Sequence, residues 1–370
     1  MKIEIFELER IQSLYENQVE YNLTESGLHP FTLRELLTEE EIDALLDVRL
    51  GYGQTNGAPD LRDSISRLYQ GADKDNILVT NGSAEANFIS IWSNLERGDE
   101  LVLMLPNYMQ IWGVARSMGV NVKPFYLKEE LNWSPDMDEL RSLVTPDTEM
   151  IALCNPNNPT GAVLSPQQMT EIVSLAKEAD AWIYCDEIYR GAELDGKETP
   201  SFYGMYDKVI VDGGLSKAYG LPGLRLGWLT GPKDIIEKAW SYNDYLTIST
   251  GILSQEISAR ILQPEMREKI LERNRGMLRE NIQAVENWVR SHGNRFRMIS
   301  PKAGGMAFIR YNMNINSRSL ADRLRTGKSV FIVDGDCFGM DHYFRLGIGA
   351  ANEYLLAGLK RIDEFLKELE

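Results

Sequence analysis

VIVDGGLSKAYGLPGLRLGW, residues 209–228, decides how the chain reads. VIVD is a short β-branched run of the kind that forms a buried strand. It passes without a spacer into Gly213-Gly214, a sharp turn at the strand's carboxyl end. Lys217 follows among glycines, and Arg225 stands close behind in GLRLGW. In open α/β sheets ligands sit at the carboxyl ends of the strands, so these two cations occupy a place where chemistry is expected.

The same arrangement recurs on the amino-terminal side. ILVT (77–80) leads into Asn81-Gly82-Ser83-Ala84 and a helix-like stretch, 83–95. Backbone N–H groups and a hydroxyl at a helix start form a phosphate site, although the same residues also suit an ordinary turn and cap. LVLML (101–105) leads into Pro106-Asn107-Tyr108, where the tyrosine either stacks on a planar ring or packs. MIALC (150–154) leads into NPNNPTG (155–161), rigid and polar enough to aim an amide. WIYC (182–185) leads into Asp186-Glu187-Ile188-Tyr189, whose carboxylate is either a ligand or a cap. Further helix-like stretches cover 107–118, 136–144 and 165–178, the last opening on Ser165-Pro166. This alternation predicts an α/β fold with a mostly parallel sheet covered on both faces.

The pattern changes after about residue 250. A long charged helix is expected over 263–291. Short strands follow at MAFIR (306–310), VFIV (330–333) and YFRLG (343–347), and a helix closes the chain over 351–369. These form a smaller α+β unit. The expected division is a large domain of residues 46–255 and a small one of 1–45 with 256–370.

The bulk numbers bound the function. A chain of 370 residues, 43% hydrophobic, can build more than one core. With 39 basic against 55 acidic residues its net charge is −16. Such a surface repels phosphate backbones and anionic lipids, so neither nucleic acid nor membrane is expected as a partner. Cys154, Cys185 and Cys337 are odd in number and widely spaced, which suits buried thiols of a reducing compartment. MKIEIFELER lacks a signal-peptide core, no apolar run approaches a membrane span, and the cytoplasm is expected. His29, His292 and His342 are scattered, which suggests no histidine metal cluster and no Ser-His-Asp triad.

Taken in order, NGSAEA, PNY, NPNNPTG, DEIY, SKAYGLPGLRLGW and FRLGIG closely resemble the fold-type I pyridoxal-phosphate enzymes of the class I/II aminotransferase family. The resemblance spans nearly the whole chain, and NPNNPTG with SKxxGxxGxRxG is its most specific part. It implies a mostly parallel, seven-stranded-type sheet with a smaller α+β domain, and pyridoxal 5'-phosphate as cofactor. Carried over, it makes Lys217 the Schiff-base and proton-transfer residue and Asp186 the partner of the pyridine nitrogen. Tyr189 and Asn158 bond the ring's phenolic oxygen, and Tyr108 stacks on the ring. Gly82, Ser83, Ala84, Ser216 and Arg225 belong to the cofactor site, Gly82, Ser83 and Arg225 at its phosphate. Arg345, with Asn158, meets the substrate α-carboxylate. Ser26 and Gly27 lie in a segment, YNLTESGLHP, that resembles one covering the substrate; Glu25 beside them either pairs with a basic substrate or is a solvated or capping residue. Tyr52, in GYGQTNG, resembles a tyrosine that reaches the neighbouring subunit's cofactor phosphate, which implies a homodimer with shared sites.

The chemistry fits those roles. A carboxylate such as Asp186 keeps a pyridinium protonated, and the charged ring is an electron sink. Burial and nearby cations favour the neutral amine that Lys217 needs. Arg345 offers a planar fork matched to a carboxylate. Amino acids and 2-oxo acids are the implied substrates of a transamination. A lyase or cyclase on the same scaffold is the alternative, and a looser resemblance to capreomycidine-synthase-like sequences points that way. A cis peptide bond is expected between Asn158 and Pro159. Two positions depart from the family's pattern: Gly214, where many relatives carry Ser or Thr for the phosphate, and Asp334, where proline is more usual.

Overall fold

The computed structural model describes residues 2–368. Its large sheet has eight strands in the order Ile77–Thr80, Gly227–Thr230, Val209–Gly214, Trp182–Asp186, Thr148–Cys154, Glu100–Leu105, Asn121–Lys128 and Ser134–Pro135. Five of them run parallel, from Val209–Gly214 across to Asn121–Lys128. Gly227–Thr230 lies antiparallel to both its neighbours, and the two-residue Ser134–Pro135 is antiparallel at the far edge. Seven strands of four or more residues therefore carry the sheet, and the eighth is a short addition.

The apolar runs become strands because alternate side chains leave on opposite faces and both faces are covered. Leu78, Leu101, Leu103 and Ile210 enter one core cluster, while Val79, Val102, Ile151 and Val211 enter the other. Each such side chain contributes about 1.5–3 kcal/mol of burial. Helix Pro166–Ala179 starts where Ser165-Pro166 predicts, with the Ser165 hydroxyl accepting from Gln168 N–H. Helix Gln110–Met118 starts later than expected, because residues 107–109 form the turn that turns Tyr108 toward the site.

A second sheet orders Phe296–Met298, Met306–Tyr311, Tyr343–Gly347 and Val333–Asp334. The single strand expected over 330–333 is divided: Val330–Phe331 pairs with Tyr21–Asn22, and only Val333–Asp334 joins this sheet. The break serves the amino-terminal segment, which runs on past the second sheet through bonds from Gly347 N–H to Leu23 O, 2.8 Å, and from His29 N–H to Gly349 O, 2.6 Å. The long helix Pro264–Ser291 buries Leu271, Asn274, Leu278 and Val285, spaced as one helical face. From that face Asn274 donates to Ala218 O at 2.9 Å and braces the loop of Lys217.

Among the described residues no helix is long and apolar enough to cross a membrane. All three cysteines are buried and free.

Candidate active site

A cavity of about 300 Å³ opens at the carboxyl ends of the parallel strands. Ser26, Ser83, Ala84, Tyr108, Asn158, Asp186, Tyr189, Ser216, Lys217, Arg225 and Arg345 all line it, so residues spread over more than 300 positions converge there. Gly82 and Gly27 stand just behind the wall. A Cβ at Gly82 would lie 2.6 Å from Arg225 Nη2, and one at Gly27 would lie 3.2 Å from Ser216 O and 3.7 Å from Lys217 Cδ.

Asp186 is the last residue of its strand and is buried. Its Oδ1 accepts from Ile188 N–H at 3.0 Å and its Oδ2 from Asn87 Nδ2 at 3.3 Å. Tyr184 donates to Asn87 Oδ1 at 2.8 Å and so turns the amide's donor end toward the carboxylate. Burial raises the Asp186 pKa; the Ile188 and Asn87 donors, and Lys217, oppose it. A cation laid against this carboxylate would relieve the cost of burial. The next strand sets Asp212 opposite Asp186, and neither oxygen of Asp212 has a hydrogen-bond partner, since the Tyr184 hydroxyl is committed to Asn87. Burial, reinforced by Asp186, pushes the Asp212 pKa well up.

The same cavity holds a cradle suited to an anion. Helix Ser83–Asn94 begins without a side-chain cap, directly after Gly82 at φ +88°. Its first N–H groups are therefore open to a ligand. Arg225, itself at φ +48°, reaches beside it, with Nη1 3.4 Å from Ser216 Oγ. Gly214 is explained by space: a Cβ there would lie 2.9 Å from Ile188 Cδ1 and 3.1 Å from Leu226 O. A serine there would require Ile188 to shift, and the hydroxyls beside the cradle are those of Ser216 and Ser83. Asp334, the other unusual position, is buried and sits 3.6 Å from Arg318 Nε.

Arg345 is 1% exposed. It donates from Nη1 to Asn158 Oδ1 at 2.9 Å and from Nη2 to Thr24 O at 2.7 Å, while its buried Nε has no partner. An arginine held by two fixed acceptors with a donor unmet is prepared for a carboxylate. The Asn158–Pro159 peptide is cis, as are Leu105–Pro106 and Asn155–Pro156. Tyr189 donates to Ser26 Oγ at 2.8 Å, and Tyr108 to Glu9 Oε1 at 2.7 Å. Burial raises both hydroxyl pKa values.

Lys217 Nζ projects into the cavity, 4.0 Å from Glu25 Oε2. Burial lowers its pKa, Arg345 and Arg225 lower it further, and Glu25 opposes them. Tyr52 is 86% exposed and does not line its own chain's cavity, so it does not pack beneath the surface turn that carries it.

Four contributors escaped the sequence reading. Asn87 lies four residues past Ser83, one turn along the same helix face, and that spacing is a usable signal. Thr24 acts through its carbonyl, which no side-chain pattern announces. Glu9 and Glu16 come from the amino-terminal helix Glu7–Tyr15 and its end, and with Gln12 they form one polar face over the cavity. Their seven-residue separation was the available clue.

A buried carboxylate seeking a cation, an uncapped helix start beside an arginine, a lysine inclined to be neutral and an unmet buried guanidinium together fit pyridoxal 5'-phosphate and an amino acid. The chain belongs to the aminotransferase class I and II family, which residues 22–362 match. It is 32% identical to a PLP-dependent aminotransferase from Streptococcus suis whose solved structure superposes with a TM-score of 0.94, over 100% of this chain and 99% of that one. It is 28% identical over 356 residues to capreomycidine synthase of Streptomyces vinaceus, covering 94% of this chain and 90% of the relative. With aromatic-amino-acid aminotransferase 2 of Thermococcus litoralis it shares 26% over 354 residues, covering 92% and 90%. The protein is a pyridoxal-phosphate-dependent aminotransferase with the fold-type I architecture.

Proposed function

We propose that Lys217 carries the cofactor covalently and moves the proton in a transamination between an amino acid and a 2-oxo acid. The observation that supports this most is that Lys217 lines one cavity together with Asp186, Ser83, Arg225 and Arg345. When bound, pyridoxal phosphate supplies a protonated ring that withdraws electrons from the substrate Cα. Asp186 holds the proton on the ring nitrogen, and Asn87 orients Asp186. Tyr189 and Asn158 bond the phenolic oxygen, and Tyr108 covers the ring. Ser83, Ala84 and Ser216 with Arg225 hold the phosphate, Gly82 giving the backbone room. Arg345 fixes the α-carboxylate, and Ser26 with Gly27 closes the segment above it. Lys217 Nζ would be the base that accepts a proton from the substrate Cα and the acid that returns it. Residues 46–255 form the large unit that holds the cofactor, and 1–45 with 256–370 the small one. Borohydride reduction followed by peptide mass analysis tests the assignment. The cofactor mass should appear on the peptide containing Lys217; its appearance on another lysine, or on none, would contradict it.

The kinship to capreomycidine synthase keeps a second reading open, a lyase or cyclase using the same residues. The two separate on products. Transamination gives a 2-oxo acid and a stoichiometric new amino acid, whereas a lyase releases ammonia and a cyclase retains the amino group.

The free amine of Lys217 is present at lower pH than that of an ordinary lysine, because burial, Arg345 and Arg225 lower its pKa. Covalent capture of pyridoxal phosphate by the apoprotein should therefore rise with pH to a midpoint below the lysine range. Glu25→Gln removes the charge that opposes the shift and should move the midpoint lower still. Stopped-flow absorbance across pH checks both; an upward move in the variant contradicts the placement of Glu25.

The exposed Tyr52 supports a homodimer in which each subunit donates this hydroxyl to its neighbour's phosphate. Tyr52→Phe should weaken cofactor retention by one charge-assisted hydrogen bond, about 1.5–3 kcal/mol, or roughly ten- to a hundredfold in Kd. Dialysis against a cofactor-free buffer measures it. A fully active monomer in sedimentation would end the shared-site reading. The acidic surface and buried free thiols support a reducing, cytoplasmic setting.

A further inference from the structure

We infer that this cavity selects an amino acid with a cationic side chain, an amine or a guanidinium, held by Glu9, Glu16 and Glu25. The inference rests on the cofactor and substrate placement given under Proposed function and adds the substrate class. It begins with the charges on the wall. Seven charged side chains line the cavity: Lys217, Arg225, Arg345, Asp186, Glu9, Glu16 and Glu25. The cofactor and the α-amino acid core use four of them. Arg225 meets the phosphate, Asp186 the ring nitrogen, Lys217 the covalent link and Arg345 the α-carboxylate. What remains is three glutamates and no cation.

Their surroundings give them little else to do. The Glu16 carboxylate makes no hydrogen bond or ion pair within the described residues, and the Glu9 carboxylate meets only the Tyr108 hydroxyl, at 2.7 Å. The Glu25 carboxylate has only Lys217 Nζ near it among the described residues, at 4.0 Å, and that nitrogen is the one assigned to the cofactor. Glu16 feels the other two: burial raises its pKa, and Glu25 and then Glu9 raise it further. A cation among them would remove that repulsion.

The unmet Nε of Arg345 fixes which end of the ligand lies where. Arg345 donates to Thr24 O, and Glu25 is the next residue, so the α-carboxylate anchor and the first glutamate are carried by one stretch of backbone. The helix Glu7–Tyr15 then extends the acidic wall outward through Glu9, with Glu16 at its end. A neutral or acidic side chain placed along that wall would meet three uncompensated negative charges, which discriminates against it.

The test uses holoenzyme and the absorbance change of its covalently held cofactor. L-Arginine is titrated against L-citrulline, its uncharged near-isostere, with L-ornithine, L-norleucine and L-glutamate alongside. Arginine or ornithine should half-saturate at least about tenfold below citrulline and norleucine, with glutamate weakest. Glu16→Gln should narrow the ratio between arginine and citrulline. Citrulline, norleucine or glutamate binding as well as the cationic amino acids would overturn the inference alone. Failure of every amino acid to perturb the cofactor band would overturn the placement beneath it as well.

Discussion

Lys217→Ala is expected to leave a protein that folds, binds pyridoxal phosphate only loosely and shows no turnover. The site explains each part. Lys217 lies in a loop braced from Asn274, and its side chain supports none of the core contacts, so removing it leaves the fold in place. The phosphate cradle and Asp186 remain, so the cofactor still has its non-covalent partners. The lost amine is both the covalent anchor and the proton carrier. General acid–base catalysis alone accounts for about 10²–10⁴ in rate, and loss of the anchor adds to it. Arg225 and Arg345 present no substitute, because guanidinium groups do not deprotonate near neutrality. Absorbance, cofactor retention and a product assay together check this. A variant that still carries covalent cofactor would mean that another lysine holds it.

Asp186→Asn separates electrostatics from packing. Asparagine keeps the shape and one oxygen, enough for one of the two donors, Ile188 N–H or Asn87 Nδ2. The phosphate cradle and Lys217 are untouched, so the cofactor should stay bound. The negative charge is lost, and with it the reason for the ring nitrogen to keep its proton. Turnover should fall by at least about a thousandfold, roughly 4 kcal/mol in the barrier. Asp212 should not compensate: it does not line the cavity, and burial raises its pKa. Steady-state kinetics on the loaded variant gives the answer. A rate within about tenfold of the parent, about 1.4 kcal/mol, would make Asp186 a structural residue.

Much of this was legible in the chain, for a definite reason. Strands buried on both faces are continuous apolar runs, and the turns after them hold the chemistry, so ILVT, MIALC, WIYC and VIVD locate both sheet and site. Three kinds of feature were hidden. Gly227–Thr230 is too short to announce an antiparallel strand, and Gly227 is demanded by tertiary contact, since a Cβ there would lie 2.4 Å from Ser83 N. VFIV reads as one strand because hydropathy cannot say that two different partners divide it. Glu9, Glu16 and Thr24 reach the cavity only because the amino terminus folds back over sheets formed by residues far along the chain. Such long-range placement leaves no local periodicity to read.

Transfer of an amino group by way of Lys217 has a direct spectroscopic signature. The most direct measurement is a half-reaction without turnover. Purified holoenzyme is mixed with one amino acid at a time from a panel that includes the cationic ones, and the cofactor spectrum is followed. The account predicts that the band of the covalently held cofactor converts to that of its amine form, with one equivalent of 2-oxo acid released, and that a 2-oxo acid restores the first band. Persistence of the original band while ammonia or a cyclised product accumulates would contradict it.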